Sequence, residues 1–234
     1  MMASPEKHTP FFNLIDAVNS GECPVCYRVS LRVRQFFESL LYQNVNNLEL
    51  RAELRANGGF CHAHAHELGT YNDGLAVAVM HLELLEASER NHGRISTPRL
   101  RPRRGLFKRG GREPAPAGCP VCRVAEEQAA NTISLVQQYG EDTEFVTAYH
   151  QSAGLCLPHY ERYLNRNRKP SQAVINHQRQ RLAELIARTR SFIDSENATS
   201  HNAPTLSREE RLVWKQILGL YYGKAGCSPC TPTS

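Results

Sequence analysis

The tetrapeptide Cys-Pro-Val-Cys occurs twice in this chain, at residues 23–26 and again at residues 119–122. A Cys-x-x-His motif follows each copy, at residues 61–64 and 156–159. The spacer between the two motifs is 34 residues long in the first half and 33 in the second. Because two pairs of metal-ligand residues recur at nearly the same separation, the pattern predicts a duplicated metal-binding helical unit.

The two motifs suit a tetrahedral metal ion. Zinc in structural sites takes four ligands, usually thiolates and imidazoles. The turn in Cys-x-x-Cys directs both sulfurs to one point, and proline after the first cysteine fixes φ where a helix begins. Residues three apart at the start of a helix share a face, as Cys-x-x-His requires.

We therefore predict two zinc ions per chain, one in each half. The alternative cofactor is iron or an iron–sulfur cluster. The predicted ligands are Cys23, Cys26, Cys61 and His64 for the first site, and Cys119, Cys122, Cys156 and His159 for the second.

Apolar residues along the chain recur at helical spacing, and no stretch shows sustained alternation of apolar and polar residues. The predicted class is all-α, with two homologous four-helix repeats, each holding a Cys3His metal site, and a C-terminal helix. The last helix carries Leu212, Trp214, Ile217, Leu218 and Tyr221 on its apolar face, and Trp214 suggests that this helix contributes to a core shared by the repeats. The predicted segments are an N-terminal segment with a short helix (1–20), repeat 1 (21–92), a basic flexible linker (93–118), repeat 2 (119–195), the C-terminal helix (205–223) and a flexible tail (224–234).

Eight cysteines would indicate a disulfide framework in a secreted protein. The N-terminus, however, lacks the apolar run of a signal peptide. Paired thiols in a reducing compartment hold metal more often than they form disulfides. No apolar run approaches the roughly 20 residues of a membrane helix. We therefore expect a cytoplasmic protein without a transmembrane segment.

The linker holds an excess of positive charge. Residues 93–118 contain eight basic residues and one acidic residue, whereas the whole chain has a net charge of +5. Such a cluster can bind nucleic-acid phosphates or another anionic surface weakly and without sequence specificity, or it can be a solvated linker. The candidate anion-binding residues are Arg101, Arg103, Arg104, Lys108 and Arg109.

A third Cys-x-x-Cys pair, Cys227 and Cys230, lies in the tail and has no Cys-x-x-His partner. Thiols in this arrangement can exchange with disulfides or transfer a soft metal ion. The pair could also complete a third metal site, or consist of incidental tail thiols.

The duplicated Cys-Pro-Val-Cys and Gly-x-Cys-x-x-His motifs resemble those of a bacterial family defined only as a domain of unknown function. The resemblance covers roughly residues 21–182, and all eight predicted ligands fit its pattern. It implies metal-binding helical repeats and no particular activity.

The sequence contains no Gly-rich phosphate loop, no His-Glu-x-x-His motif and no nucleophile elbow. The leading hypothesis is therefore a non-enzymatic zinc-binding scaffold that binds a macromolecular partner, which we expect to be a protein. The alternatives are a thiol redox or metal-transfer protein that uses the tail cysteines, and non-specific nucleic-acid binding through the linker.

Overall fold

The computed structural model describes residues 7–90, 118–197, 207 and 210–224. In these ranges the chain forms ten α-helices and no strand, which confirms the all-α class. The helices are α1 (Thr9–Val18), α2 (Pro24–Ser39), α3 (Leu48–Asn57), α4 (His62–Gly69), α5 (Gly74–Arg90), α6 (Pro120–Tyr139), α7 (Thr143–His150), α8 (Leu157–Arg166), α9 (Gln172–Asn197) and α10 (Val213–Tyr222). A π-helical turn at Leu40–Asn44 follows α2, and a 3-10 turn at Glu210–Leu212 precedes α10. The homology of the two halves stays a prediction.

Local sequence signals set the starts of several helices. Helices α2 and α6 both begin at the proline of Cys-Pro-Val-Cys, because its fixed φ suits the first helical position and that position needs no N–H donor. The side chain of Asn47 accepts a hydrogen bond from the Leu50 N–H at the start of α3. Asp142 accepts hydrogen bonds from two backbone N–H groups at the start of α7.

The chain folds into two compact units, and the cuts between them fall inside α2 and α6. Of the described residues, the first unit contains 7–29, 128–197, 207 and 210–224, and the second contains 30–90 and 118–127. Each of these two helices therefore contributes its first turns to one unit and its remaining turns to the other. Each unit contains residues of both sequence repeats.

The core of the first unit is built around aromatic side chains. Phe11 of α1 packs edge to face on Tyr139 of α6, with ring centroids 4.8 Å apart. Phe145 and Tyr149 of α7 stack at 5.3 Å, and both are buried. Helix α9 adds Val174, which is fully buried. Burial of side chains of this size supplies most of the stabilisation of such a unit.

Phe37 is the centre of the second unit. Its ring is fully buried and lies 6.1 Å from the Phe60 ring, 5.5 Å from the Tyr71 ring and 6.4 Å from the His64 imidazole. On the surface of the same unit, Glu83 of α5 forms ion pairs with two arginines of α3. The aromatic cluster thus joins residues 30–39 of α2 to α4.

Helix α10 does not bury the predicted apolar face. Val213 is buried, whereas Trp214 is 48% exposed, Leu218 48% and Tyr221 58%. Helix α10 therefore packs through Val213 and not through this face, and the expectation that Trp214 lies in a core is wrong. Among the described helices, none has both the length and the apolar composition required to cross a bilayer.

Candidate metal centres

The eight predicted metal ligands gather in two groups of four. The first group, centre A, belongs to the first unit and consists of Cys23, Cys26, Cys156 and His159. The second group, centre B, belongs to the second unit and consists of Cys61, His64, Cys119 and Cys122. In each group, the ligand atoms all lie within 4.8 Å of one another. Both centres thus contain three thiols and one imidazole, as the sequence predicts.

The pairing of the motifs differs from the prediction. Each Cys-x-x-Cys pair meets the Cys-x-x-His pair of the other half, so the predicted assignment of one complete site to each repeat is wrong.

The reason lies in the length of helix α2. Phe37, near its C-terminal end, packs on His64, while Cys26 lies eleven residues earlier in the same helix. At 1.5 Å per residue, this separation is about 16 Å along the axis. A straight helix cannot bring Cys26 to the His64 imidazole while Phe37 remains packed beside it.

In centre A, the three sulfurs surround one imidazole nitrogen. Nδ1 of His159 lies 3.7 Å from Sγ of Cys23, 3.5 Å from Sγ of Cys26 and 3.1 Å from Sγ of Cys156. The sulfurs of Cys26 and Cys156 are 3.7 Å apart. These two cysteines and His159 are buried, and Cys23 is half-buried.

Centre B repeats this arrangement. Nδ1 of His64 lies 3.1 Å from Sγ of Cys61, 3.6 Å from Sγ of Cys119 and 3.3 Å from Sγ of Cys122. The sulfurs of Cys61 and Cys122 are 3.6 Å apart. His64 is buried, whereas the three cysteines are half-buried.

These distances fit four ligands around one tetrahedral metal ion. With bonds of about 2.3 Å to sulfur and about 2.0 Å to nitrogen, tetrahedral geometry places sulfurs about 3.8 Å apart and a sulfur about 3.5 Å from the nitrogen. The observed separations of 3.6 and 3.7 Å between sulfurs agree with this expectation. The residues present therefore suit a single bound ion in each centre.

The Cys-x-x-His pairs have the same local backbone in both centres. Cys61 and Cys156 are the N-caps of α4 and α8, with extended backbone at φ −69° and −67°. Each histidine then lies in the first turn, on the same side as its cysteine. Helix N-termini also favour the negative charge of a thiolate-rich centre.

Two residues that the sequence did not single out hold centre A in place. The side-chain amide of the fully buried Gln178 donates to the Leu155 carbonyl at 2.9 Å and accepts from the Leu155 N–H at 3.2 Å. This pair of hydrogen bonds ties Leu155, the residue before Cys156, to helix α9. Gly223 lies against the sulfurs, since a Cβ at this position would come within 3.2 Å of Sγ of both Cys26 and Cys156.

Crowding of the thiols shifts their protonation. Burial raises the pKa of the Cys23 thiol to about 12, and hydrogen bonds with Cys23 and Cys26 raise the pKa of Cys156. In centre B, a hydrogen bond from Cys122 and then one from His64 lower the pKa of Cys119 to about 3. Three sulfurs at contact distance cannot all ionise without a neighbouring positive charge, and a bound dication supplies it.

The remaining candidate residues of the sequence lie outside the described part of the chain. They are the tail cysteines Cys227 and Cys230 and the linker residues Arg101, Arg103, Arg104, Lys108 and Arg109. Their roles in thiol exchange, in a third metal site or in anion binding stay predictions.

Comparison with protein families gives a match over residues 9–190 to a family of unknown function, DUF6062. The chain belongs to DUF6062. This membership confirms the resemblance found in the cysteine and histidine motifs.

One relative of this DUF6062 protein is an uncharacterised 23.9 kDa protein in the xynA 3′ region of Caldicellulosiruptor sp. (strain Rt8B.4). The two are 33% identical over 92 residues, which is 39% of this chain and 45% of the relative. The chain thus spans less than half the length of that relative. No solved structure matches the DUF6062 chain.

Proposed function

We propose that this DUF6062 protein is a non-enzymatic scaffold of the cytoplasm, in which two structural zinc ions fix the helices that bind another protein. The observation that supports the zinc sites is the spacing of the ligand atoms: in both centres each sulfur lies within 3.7 Å of one imidazole nitrogen.

This spacing favours one ion in each centre over the alternative of an iron–sulfur cluster. A cluster places several iron and sulfide atoms between its cysteine sulfurs and so keeps those sulfurs well apart. In centre A, the Cys26 and Cys156 sulfurs are only 3.7 Å apart, the distance expected around one ion.

A structural role is favoured because four protein ligands complete the tetrahedron. Catalytic zinc sites normally leave one position for water or substrate. The six described cysteines form no disulfide with one another, so their thiols are available as metal ligands.

The experiment is elemental analysis, with an ultraviolet–visible spectrum, of protein purified without added metal or chelator. We expect two zinc ions per chain and a colourless solution. A double variant, Cys26→Ser with Cys61→Ser, removes one ligand from each centre and serves as the control that should lose both ions. Iron with visible absorption would overturn the zinc assignment.

Helix α10 supports the proposal of a protein partner. Trp214, Leu218, Tyr221 and Tyr222 lie on one face of this helix and are 48% to 64% exposed. Aromatic side chains of this kind are enriched in protein interfaces.

A photo-crosslinking residue at position 218 tests this surface in the cells that make the protein. We expect a crosslinked band that contains a second, different protein, and no such band with the same residue at the exposed position Gln180 of α9. Binding of the identified protein by purified chain should weaken in Trp214→Ala. A crosslink to another copy of this chain would show that this face serves self-association and not the binding of a different protein. The same crosslinked bands from positions 218 and 180 would count against the proposal.

A further inference from the structure

A cavity of about 430 Å³ opens beside centre A in the first unit. Cys23, Cys26 and Cys156 of the centre line one side, and residues of α9 and α10 line the others. The volume lies in the range of cavities that hold small molecules. Centre A therefore borders a space large enough for an organic ligand.

The charged side chains around this cavity are mostly cationic. Arg181, Lys215 and Lys224 contribute positive charges, and Glu22 contributes one negative charge. The Lys224 ammonium is already 3.0 Å from the Glu22 carboxylate. A dication with three thiolates adds one further negative charge, and the lining still keeps an excess of one positive charge.

Arg181 has an unused donor at this position. Its Nε is buried and has no hydrogen-bond partner among the described residues. Within the described part of the chain, the only ion pair of its side chain is a long one, with Nη1 3.8 Å from the Glu184 carboxylate. Because Arg181 lines the cavity and has no carboxylate closer than 3.8 Å among the described residues, an acid group of a ligand would gain a charge-assisted hydrogen bond with its guanidinium.

The same cavity has apolar walls. Ala153, Leu185 and Leu220 line it beside the charged groups. We propose that this cavity binds a small organic anion, a carboxylate or sulfonate with an apolar body, whose acid group pairs with Arg181 and whose apolar part contacts these three residues.

The probe is 8-anilinonaphthalene-1-sulfonate, an aromatic sulfonate, added to the metal-loaded full chain. We expect saturable fluorescence enhancement with one site per chain. Arg181→Gln should weaken binding by about tenfold, the usual effect of losing a charge-assisted hydrogen bond. The matched control is Arg179→Gln, because Arg179 is exposed on the same helix and is not among the residues that line the cavity.

A second variant fills the cavity without removing charge. A Cβ at Gly219, which lines the cavity, meets no atom within 4 Å, so Gly219→Leu should be accommodated and should favour helix α10. We expect it to abolish probe binding while metal content and circular dichroism remain unchanged. Gly69→Leu, at a helix position in the second unit that is equally open, should leave binding intact.

Three results of the probe experiments would contradict the proposal. Absence of saturable binding, equal weakening by both arginine substitutions, or full binding by folded Gly219→Leu would overturn it. Decanoate should displace the probe, whereas inorganic phosphate at the same concentration should not, because phosphate has no apolar part. Equal displacement by phosphate would overturn the requirement for an apolar body.

Discussion

The Sγ atom of Cys26 lies 3.5 Å from Nδ1 of His159, although 133 residues separate them in the chain. In the other centre, Sγ of Cys122 lies 3.3 Å from Nδ1 of His64, across 58 residues. A metal ion in either centre therefore fixes contacts between parts of the chain that are distant in sequence.

Paired substitutions can test this pairing directly. Cys26→Ser should reduce the metal content from two ions per chain to one. Adding Cys156→Ser should remove no further metal, because both residues belong to centre A, whereas adding Cys61→Ser should remove the second ion. Elemental analysis of the purified variants measures each ratio. If the ligands paired within each repeat, Cys26→Ser with Cys61→Ser would still hold one ion, and Cys26→Ser with Cys156→Ser would hold none.

Removal of metal should unfold the chain. Structural zinc contributes about 10–16 kcal/mol in zinc-finger peptides, which equals or exceeds the total stability of a typical domain, about 5–15 kcal/mol. Excess chelator should therefore abolish most of the helical circular dichroism, and added zinc should restore it. Retention of the full signal after complete metal removal would contradict a structural role.

The identity of the ligands could be predicted from the sequence because cysteine and histidine at these spacings leave few other interpretations. The starts of α2 and α6 were equally predictable, since proline marks both. The pairing was not predictable. Both Cys-x-x-Cys motifs offer the same two thiolates, and contacts between residues distant in sequence, such as the packing of Phe37 on His64, decide which Cys-x-x-His motif each one meets.

The roles of the polar residues that support or border centre A were also not predictable, but for a different reason. Gln178 and Arg181 lie in a helix that is rich in polar residues, and nothing in their spacing separates them from exposed neighbours such as Arg179 and Gln180. Their roles depend on which face of α9 packs against the loop before Cys156. That choice is made by tertiary contacts.

Gly223→Ala should loosen centre A. Gly223 has φ +75° and ψ −161°, a conformation that is restricted essentially to glycine, and its Cβ would press on two metal-ligand sulfurs. We expect the free energy of unfolding to fall by about 1–3 kcal/mol and metal release to a chromophoric chelator to accelerate. Gly219→Ala, in the preceding turn, should be neutral or stabilising. The same release rate in both variants would contradict this role of Gly223.

Replacing Gln178 with leucine should destabilise the first unit. The substitution removes both partners of the Leu155 backbone and leaves its N–H and C=O groups without hydrogen bonds in a buried place. We expect a loss of about 2–4 kcal/mol in urea unfolding. Gln180→Leu is the control, because this residue is exposed and bonds only to the exposed Glu184 in the described structure. A similar loss from both substitutions would show that the bridge has no special role.

The buried His177 should make stability depend on pH. Burial lowers its pKa below the ordinary value of 6.5, against a bond in which Nε2–H donates to the Ser152 carbonyl. Among the described residues, the charged or titratable groups near it include Tyr149, His150, Arg181 and Glu184. The unfolded chain therefore binds a proton first on acidification, and the free energy of unfolding should fall as the pH drops below about 6.5.

Urea unfolding at pH 7.5 and pH 5.5 measures this effect. His177→Gln should lose less stability over that interval than the unchanged chain, by at most about 1.4 kcal/mol, because only one pH unit of the interval lies below the unfolded pKa of 6.5. Protonation of the metal ligands affects both proteins alike and cancels in the comparison. Identical losses would mean that His177 is not a source of the pH dependence.

The nesting of centre B within the ligands of centre A sets an order of assembly during translation. Cys122 completes centre B, whereas His159 is synthesised 37 residues later. At 5–20 residues per second, this delay is about 2–7 s. Before residue 119 is made, the nascent chain offers only four of the eight ligands of the two centres, Cys23, Cys26, Cys61 and His64, a combination that the finished fold does not use. An ion captured early by those four ligands must be released and redistributed before the native chain can form.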